Sequence, residues 1–331
     1  MTEKYTTVLP IGLVVIGRNE GDRLRKCLKS VVGLVSKVVY VDSGSTDGSV
    51  NMARALGVEV VELDMAVKFT AARARNEGFG CLRETALELE YVQFVDGDCE
   101  VVPGWLVKAA QFLDEHHNVA VVCGRRRERY PNRTVYNMLC DIEWDTPVGE
   151  AKACGGDALM RSDALENVGK YRDDLIAGEE PELCVRFRAA GWKIWRLGEE
   201  MTLHDAAILR FGQWWKRALR SGYAYAEGAY LHGAPPERHR VKESRRVWIW
   251  GFAIPVVTVC LVIWLGVWSL MLLLIYPVQT VRLALRGKRT TRANWWHALF
   301  LVLGKFPEAM GQLSFLNNRL AGKTARLIEY K

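Results

Sequence analysis

The chain has 331 residues, 50% hydrophobic and 25% charged, with a formal net charge of +7. That suits one globular domain of ordinary size plus an additional segment, and the positive excess points to an anionic partner, nucleotide phosphates or acidic lipid. No aromatic-basic nucleic-acid pattern is present, and the eight cysteines form no CxxC pair or Cys/His zinc spacing, which sets aside nucleic acid and a zinc framework in favour of buried free thiols in a reducing compartment.

The N-terminus, MTEKYTTVLPIGLVVIGRNE, lacks the basic start and small-residue cleavage site of a signal peptide. Its apolar run from near Val8 reads as the first strand, which keeps the N-terminal part in the cytosol. From there to about residue 200, short apolar runs alternate with helical stretches. IGLVVIG, KVVYVD, VEVVEL, YVQFVD and VAVVCG read as strands. GDRLRKCLKSVVGL, TDGSVNMARALG, TAARARNEGFGCLRETA and PGWLVKAAQFLDEH read as helices between them. Near-continuous apolar strands separated by amphipathic helices predict a doubly wound α/β domain with a mostly parallel, Rossmann-like sheet.

Ligands on such sheets bind beyond the carboxyl ends of the strands. Asp96 and Asp98, in FVDGD, stand at such an end, as do Asp42 after KVVYV and the group Gly17, Arg18, Asn19 and Glu20 after the first strand. Two carboxylates spaced i, i+2 can act on one divalent cation, and Mg²⁺ or Mn²⁺ often shares its oxygen ligands with substrate phosphates. A calcium loop would continue with further acids and a Glu, which DGDCEVVPGW does not. A second acidic cluster, AGEEPELCVRFRAAGW, sets Glu179, Glu180 and Glu182 at a helix start with Pro181 in the first turn, where the helix dipole favours acids.

GAPPERHR, around residues 233–240, reads as a linker. From Val247 to Val281 there is no charged residue, well beyond the roughly 20 residues needed to cross a bilayer once. Arg245 and Arg246 precede this stretch; Arg282, Arg286, Lys288 and Arg289 follow it. Positive residues at both ends favour both ends in the cytosol, so a hairpin turning near Gly266, or a re-entrant pair, is expected over 247–283. The remainder, 284–331, is amphipathic with interspersed tryptophans. It fits either an interfacial helix or an ordinary packed one. The expected division is 1–232 catalytic domain, 233–246 linker, 247–283 membrane segment and 284–331 tail.

With VVIGRNEGDRL, VDSGSTDGS, FVDGD and GEEPELCVRFRAAGW in this order, residues 8–230 resemble a family 2 glycosyltransferase of the GT-A fold, of the membrane-anchored bacterial type. The resemblance implies transfer of a sugar from a nucleotide-diphosphate sugar, with uridine the family-level expectation, and inversion at the anomeric carbon. It implies that Gly17, Arg18, Glu20, Asp42, Arg75 and Asn76 lie along the nucleotide. Asp96 faces ribose and metal, and Asp98 is a ligand for Mg²⁺ or Mn²⁺. Glu179 and Glu180 match the family's acidic pair, with Glu180 in the general-base position. CGGDALMR resembles the loop that holds the donor sugar, with Gly156 and Asp157. His204, in TLHDAA, falls where some GT-A enzymes place a further metal or diphosphate ligand; a structural histidine is the other reading.

The sequence departs from the family pattern at Ser43, where a second Asp is common, at Ile16, where proline is usual, and at Glu180, where Asp is usual. QWWKR, residues 213–217, resembles the acceptor motif of processive synthases only loosely, with its order wrong. The implied acceptor is a membrane lipid, a polyprenyl phosphate or a lipid-linked saccharide, at the inner membrane with the catalytic domain facing the cytoplasm. Assembly as a homo-oligomer or within a biosynthetic complex is left open. Two alternatives remain at this stage: a sugar nucleotidyltransferase, although IGRNEGDR lacks that class's repeated glycines, and a non-catalytic membrane scaffold.

Overall fold

A computed structural model describes residues 9–86 and 88–323, so Val8 and tail residues 324–331 lie outside the described residues. These residues fall into two compact units, one running to Tyr130 and resuming over Cys140–Ala206, the other made of Pro131–Leu139 and the chain from Ala207 onward.

The first unit opens with β1 (Leu9–Gly17), α1 (Asp22–Lys29), β2 (Val35–Asp42), α2 (Ser49–Ala55), β3 (Glu59–Glu62), α3 (Ala71–Thr85) and β4 (Tyr91–Asp96). It continues through β5 (Cys99–Val101), α4 (Trp105–Glu115), β6 (Val119–Glu128), the last residues of α5 (Val135–Glu143), whose start belongs to the second unit, then β7 (Gly149–Ala151), β8 (Ala158–Arg161), α6 (Ser162–Asn167), α7 (Glu179–Ala189) and β9 (Lys193–His204). The strands form one nine-stranded sheet in the order β3-β2-β1-β4-β8-β6-β9-β5, with β7 beside β9. Pairing is parallel from β3 through β4 and between β6 and β9. The four-residue β8 is an antiparallel insert between β4 and β6, and short β5 and β7 also run antiparallel to β9.

Apolar residues run without alternation in β1 because both of its faces are covered. Ile11, Leu13, Val14 and Val15 have no exposed surface. Leu24, Cys27 and Leu28 of α1, at helical spacing, are the residues that it buries. The register sets Gly17 of β1 opposite Asp42 of β2, and Ile16 opposite Asp96 of β4. The two acidic strand ends therefore flank the end of β1, which is the sheet edge where the polar loops gather.

The second unit is helical. α8 (Phe211–His232) is followed by α9 (Val241–Val247), a π-helical turn over Trp248–Ala253, and α10 (Ile254–Leu265). At Gly266, φ 83°, the chain breaks and returns through a 3-10 stretch over Val267–Leu274 and α11 (Ile275–Arg286). The Tyr276 hydroxyl donates to the Trp250 carbonyl at 2.6 Å, and Ser269 Oγ donates to the Leu261 carbonyl at 3.1 Å. These bonds tie the two arms side by side as the hairpin that the uncharged run and its flanking arginines predict. The arms, Val241–Leu265 and Val267–Arg286, number 25 and 20 residues and are apolar enough to cross a membrane. Near the tip, Ile263, Trp264 and Trp268 are 76%, 84% and 79% exposed, a surface that suits lipid rather than water.

The chain then forms α12 (Thr291–Leu303) and α13 (Lys305–Leu320). α12 keeps Trp295, Trp296, Leu299 and Leu301 exposed, whereas α13 buries Ala309, Gly311, Gln312 and Phe315. Both tail helices therefore bury one set of residues and expose apolar side chains elsewhere, since α12 also buries Ala298 and Val302 and α13 leaves Met310, Leu313, Leu316 and Leu320 exposed. α13 meets α8 with backbone against backbone. A Cβ on Gly222 would lie 2.0 Å from the Glu308 carbonyl oxygen, and one on Gly311 would lie 2.0 Å from that of Leu219. No side chain fits there without separating the helices. Gly222→Leu should therefore lower the thermal midpoint, by the equivalent of about 3 kcal/mol or more. An unchanged melting curve would show that α8 and α13 do not need this close crossing.

Candidate active site

The loops after β1 and β2 hold one another. Asn19 takes a left-handed conformation, φ 55°. Its amide N–H donates to Ser45 Oγ at 2.8 Å, and its Oδ1 accepts from the Thr46 N–H at 2.7 Å. Asp42 is 2% exposed and organises the second loop from within. Its Oδ1 accepts from the Tyr40 hydroxyl at 2.7 Å and its Oδ2 from the Gly44 and Ser45 N–H groups at 2.9 and 2.8 Å. Arg18 is exposed beside this pair of loops, and Glu20 pairs with Arg23 at 2.7 Å.

A charged cluster lies at the end of β4. Arg75, projecting from α3 and 2% exposed, reaches Asp96 Oδ1 and Glu179 Oε1, each at 2.9 Å, with Glu180 Oε1 at 3.6 Å. Its guanidinium lies over the Tyr171 ring, 5.6 Å from the centroid. An ideal Cβ on Gly156 would sit 2.8 Å from Arg75 Nη2, 2.9 Å from Asp96 Oδ2 and 3.1 Å from Glu180 Oε1. Three charged groups from three elements therefore face the backbone of Gly156, a position that admits no side chain.

Two of the carboxylates around Arg75, Asp96 and Glu180, are tuned in opposite directions. Burial pushes Asp96 up, but Arg75 and Arg126 outweigh it and hold the group below the ordinary carboxylate range. Burial, reinforced by the charge of Glu179, pushes Glu180 up to about 7 against the pull of Arg75. Glu180 is thus poised near neutrality while its neighbour stays ionised.

Asp98 is 7% exposed and one turn of chain further on. The antiparallel register of β5 and β9 sets Cys99 opposite His204, which brings His204 Nε2 to 3.1 Å from Asp98 Oδ2. The approach is close but off the line that a hydrogen bond needs, and neither ring nitrogen of the buried His204 has a hydrogen-bond partner. The ring stacks on Trp144, with centroids 4.6 Å apart and planes at 10°. A buried imidazole that makes no hydrogen bond, set 3.1 Å from a carboxylate, is a donor pair that fits a divalent cation. Asp98, Cys99 and His204 present ligand atoms within 4.8 Å of one another, as do Asp96, Cys99 and Asp157. Burial, then the charge of Asp157, pushes the Cys99 thiol well up, so oxygen and nitrogen are the donors on offer.

Several side chains singled out in the sequence serve the scaffold of this site. Asp157 has no exposed surface. It accepts the Asp96 N–H at 3.0 Å and the Thr202 hydroxyl at 2.7 Å, and pairs with Arg126 at 3.0 Å. It fixes the backbone from which Asp96 projects. Asn76 exchanges hydrogen bonds with the Tyr171 backbone and donates to Asp173 Oδ1 at 2.6 Å, so its amide ties α3 to that loop. Glu182 is committed to Arg186, at 2.7 Å.

Arg126 was not singled out. It stands on β6 opposite Thr202, lies 3.6 Å from Asp96 Oδ2, and has its guanidinium over the Trp144 ring, 5.5 Å from the centroid. Its signal in the sequence was the basic run RRRE directly after the apolar VAVVCG, at another strand end.

Comparison with known proteins matches residues 13–168 to the family model "Glycosyl transferase family 2". The match includes Asp42, Arg75, Asp96, Asp98 and Asp157 and ends before Glu180 and His204. Glycosyltransferase AglE of Haloferax volcanii is 25% identical over 231 residues, which is 66% of this chain and 73% of that protein. Among solved structures, the mannosyltransferase PcManGT from Pyrobaculum calidifontis, in complex with GDP-Man and Mn²⁺, aligns with TM-score 0.59 at 18% identity over 94% of this chain and 88% of its own. TarS of S. aureus, residues 1–349, aligns with TM-score 0.52 at 15% identity, covering 93% of this chain and 91% of its own. At these identities the likeness carries the fold.

Proposed function

From the premise that the chain carries a family 2 glycosyltransferase domain on a GT-A fold, we propose that it moves a sugar, with inversion, from a nucleotide-diphosphate sugar to a membrane-associated acceptor in a metal-dependent reaction. The observation that supports this most directly is the meeting of Asp96, Arg75 and Glu180 at Gly156, together with His204, which makes no hydrogen bond although its Nε2 lies 3.1 Å from Asp98 Oδ2.

Asp98 and His204 are the proposed holders of Mn²⁺ or Mg²⁺, with Asp96 close by; the cation supplies charge neutralisation for the departing nucleoside diphosphate. Arg126 lies where it adds positive charge beside Asp96. Arg75 fixes Asp96 and Glu179 and keeps the buried acids from repelling one another. The interlocked loops around Asn19 and Asp42 form the proposed nucleotide cradle. Glu180 takes the proton of the attacking acceptor hydroxyl, for which a carboxyl near 7 is well matched at neutral pH. Inversion follows from a single displacement with this base on the face opposite the leaving group.

Among GT-A neighbours, PcManGT was solved with GDP-Man and Mn²⁺, which supports a nucleotide-sugar donor and a divalent cation here. The hairpin of the second unit supports attachment to a bilayer, and a lipid or lipid-linked acceptor is the reading that follows.

The direct test offers a panel of UDP- and GDP-sugars with native membrane lipid extract and identifies the product by mass. Transfer should stop in excess chelator. Asp98→Ala and His204→Ala should each fold normally, lose Mn²⁺ binding in the presence of nucleoside diphosphate, and lose about 10²-fold or more in turnover. Full transfer by Asp98→Ala would favour a scaffold role for the chain, and release of diphosphate instead of nucleoside diphosphate would identify a nucleotidyltransferase.

A further inference from the structure

The charge pattern of the second unit goes beyond a hairpin that inserts in lipid. Between Glu243 and Glu308 the sequence holds no Asp or Glu. Of the eight lysines and arginines in this stretch, Lys305 is ion-paired with Glu308, and the other seven are not spread along it. Arg245 and Arg246 stand at the start of the first arm; Arg282 and Arg286 close the second, and Lys288, Arg289 and Arg292 follow directly. The arms are held side by side by Tyr276 on Trp250 and Ser269 on Leu261. Both charged ends therefore lie at one end of the hairpin, and the Gly266 tip carries none.

These seven side chains are all exposed, and no ion pair to any of them is found among the described residues. Glu243, the nearest acid in sequence, is engaged by Arg240. At the same end, Trp248 starts the π-helical turn, and Trp295 and Trp296 of α12 are 42% and 38% exposed. An apolar hairpin, an aromatic level and a one-sided ring of uncompensated cations is the order of layers that a leaflet with negatively charged headgroups complements. Nucleic acid would meet the cations but leave the continuous apolar hairpin uncovered.

We propose that this cationic collar binds the headgroups of anionic phospholipid, so that the chain selects a negatively charged leaflet and not merely a bilayer. The proposal rests on the membrane reading given above. Attraction of this kind amounts to roughly a fewfold gain in binding per basic residue near the surface and weakens with salt.

In the test, the purified full chain in a neutral detergent is offered equimolar phosphatidylglycerol and phosphatidylcholine, and native mass spectrometry reads which lipid is retained. Wild type should retain phosphatidylglycerol in about tenfold preference at low salt and less at high salt. The variant K288Q/R289Q/R292Q should lose most of that preference, and the charge-keeping K288R/R289K/R292K should regain it. Equal retention of the two lipids by wild type, or a preference that survives in the glutamine variant, would overturn the proposal. A separate flotation with phosphatidylcholine vesicles, after detergent removal, tests the membrane reading itself. Failure to float would overturn both, whereas flotation without lipid preference would overturn the collar alone.

Discussion

Glu180→Gln should bind the nucleotide-sugar as wild type does, lose turnover toward a hydroxyl acceptor by about 10²- to 10⁴-fold, and melt at a higher temperature than wild type. The two effects have one cause. Burial and the charge of Glu179 raise the Glu180 carboxyl to about 7, which makes it a competent base at neutral pH. The same shift means that the folded state prefers the protonated form. Above the ordinary glutamate value the ionised group therefore costs stability, and the cost grows until the pH passes about 7. Glutamine keeps the shape and removes the charge, for a gain on the order of 2 kcal/mol at neutral pH that vanishes in acid, where Glu180 is neutral in folded and unfolded chains alike. In wild type, kcat/KM should rise with a single proton's slope through about pH 7. A variant as active as wild type, with a flat pH profile, would indicate an acceptor already ionised, such as a lipid phosphate. A lower melting temperature would show that Glu180 is better paired than its surroundings suggest.

Arg75→Met should be the most destabilising single change in the catalytic unit. Arg75 is 2% exposed and is the shared partner of Asp96, Glu179 and Glu180. Methionine fills part of the space but leaves buried carboxylates facing one another without a cation, a loss of about 3–5 kcal/mol. The sign of its pH dependence is defined. Without Arg75 the folded-state carboxyl values rise, so the deficit against wild type should be largest at neutral pH and shrink as the acids are protonated. Arg75→Lys should fall between, since one ammonium cannot reach Asp96 and Glu179 as a two-pronged guanidinium does. Thermal melts at neutral and mildly acidic pH make the comparison, and the lysine variant carries it alone if methionine prevents folding. A deficit that does not change with pH would mean that packing on Tyr171, not charge, is what Arg75 contributes.

The sequence by itself determined the elements and their class. Unbroken apolar runs such as LVVI and VAVV can be buried on both faces only within a covered sheet, and an uncharged stretch from Val247 to Val281 has no comfortable place in water. It also located Asp42, Asp96 and Asp98, because a carboxylate directly behind a buried strand must stand at the sheet's rim. These are local facts, and local periodicity reports them. What each side chain touches was decided by tertiary structure. His204 reaches Asp98 only because β5 and β9 pair in the register Cys99–His204. Arg75 meets Glu179 across 104 residues of sequence, and Arg126 enters because β6 sets it beside Thr202. Asp157 and Asn76 each hold backbone from other elements, through hydrogen-bond partners far along the chain. A pattern of polar and apolar residues records burial but not partners, and strand register, a property of the assembled sheet, separates a carboxylate that supports the site from one that faces it.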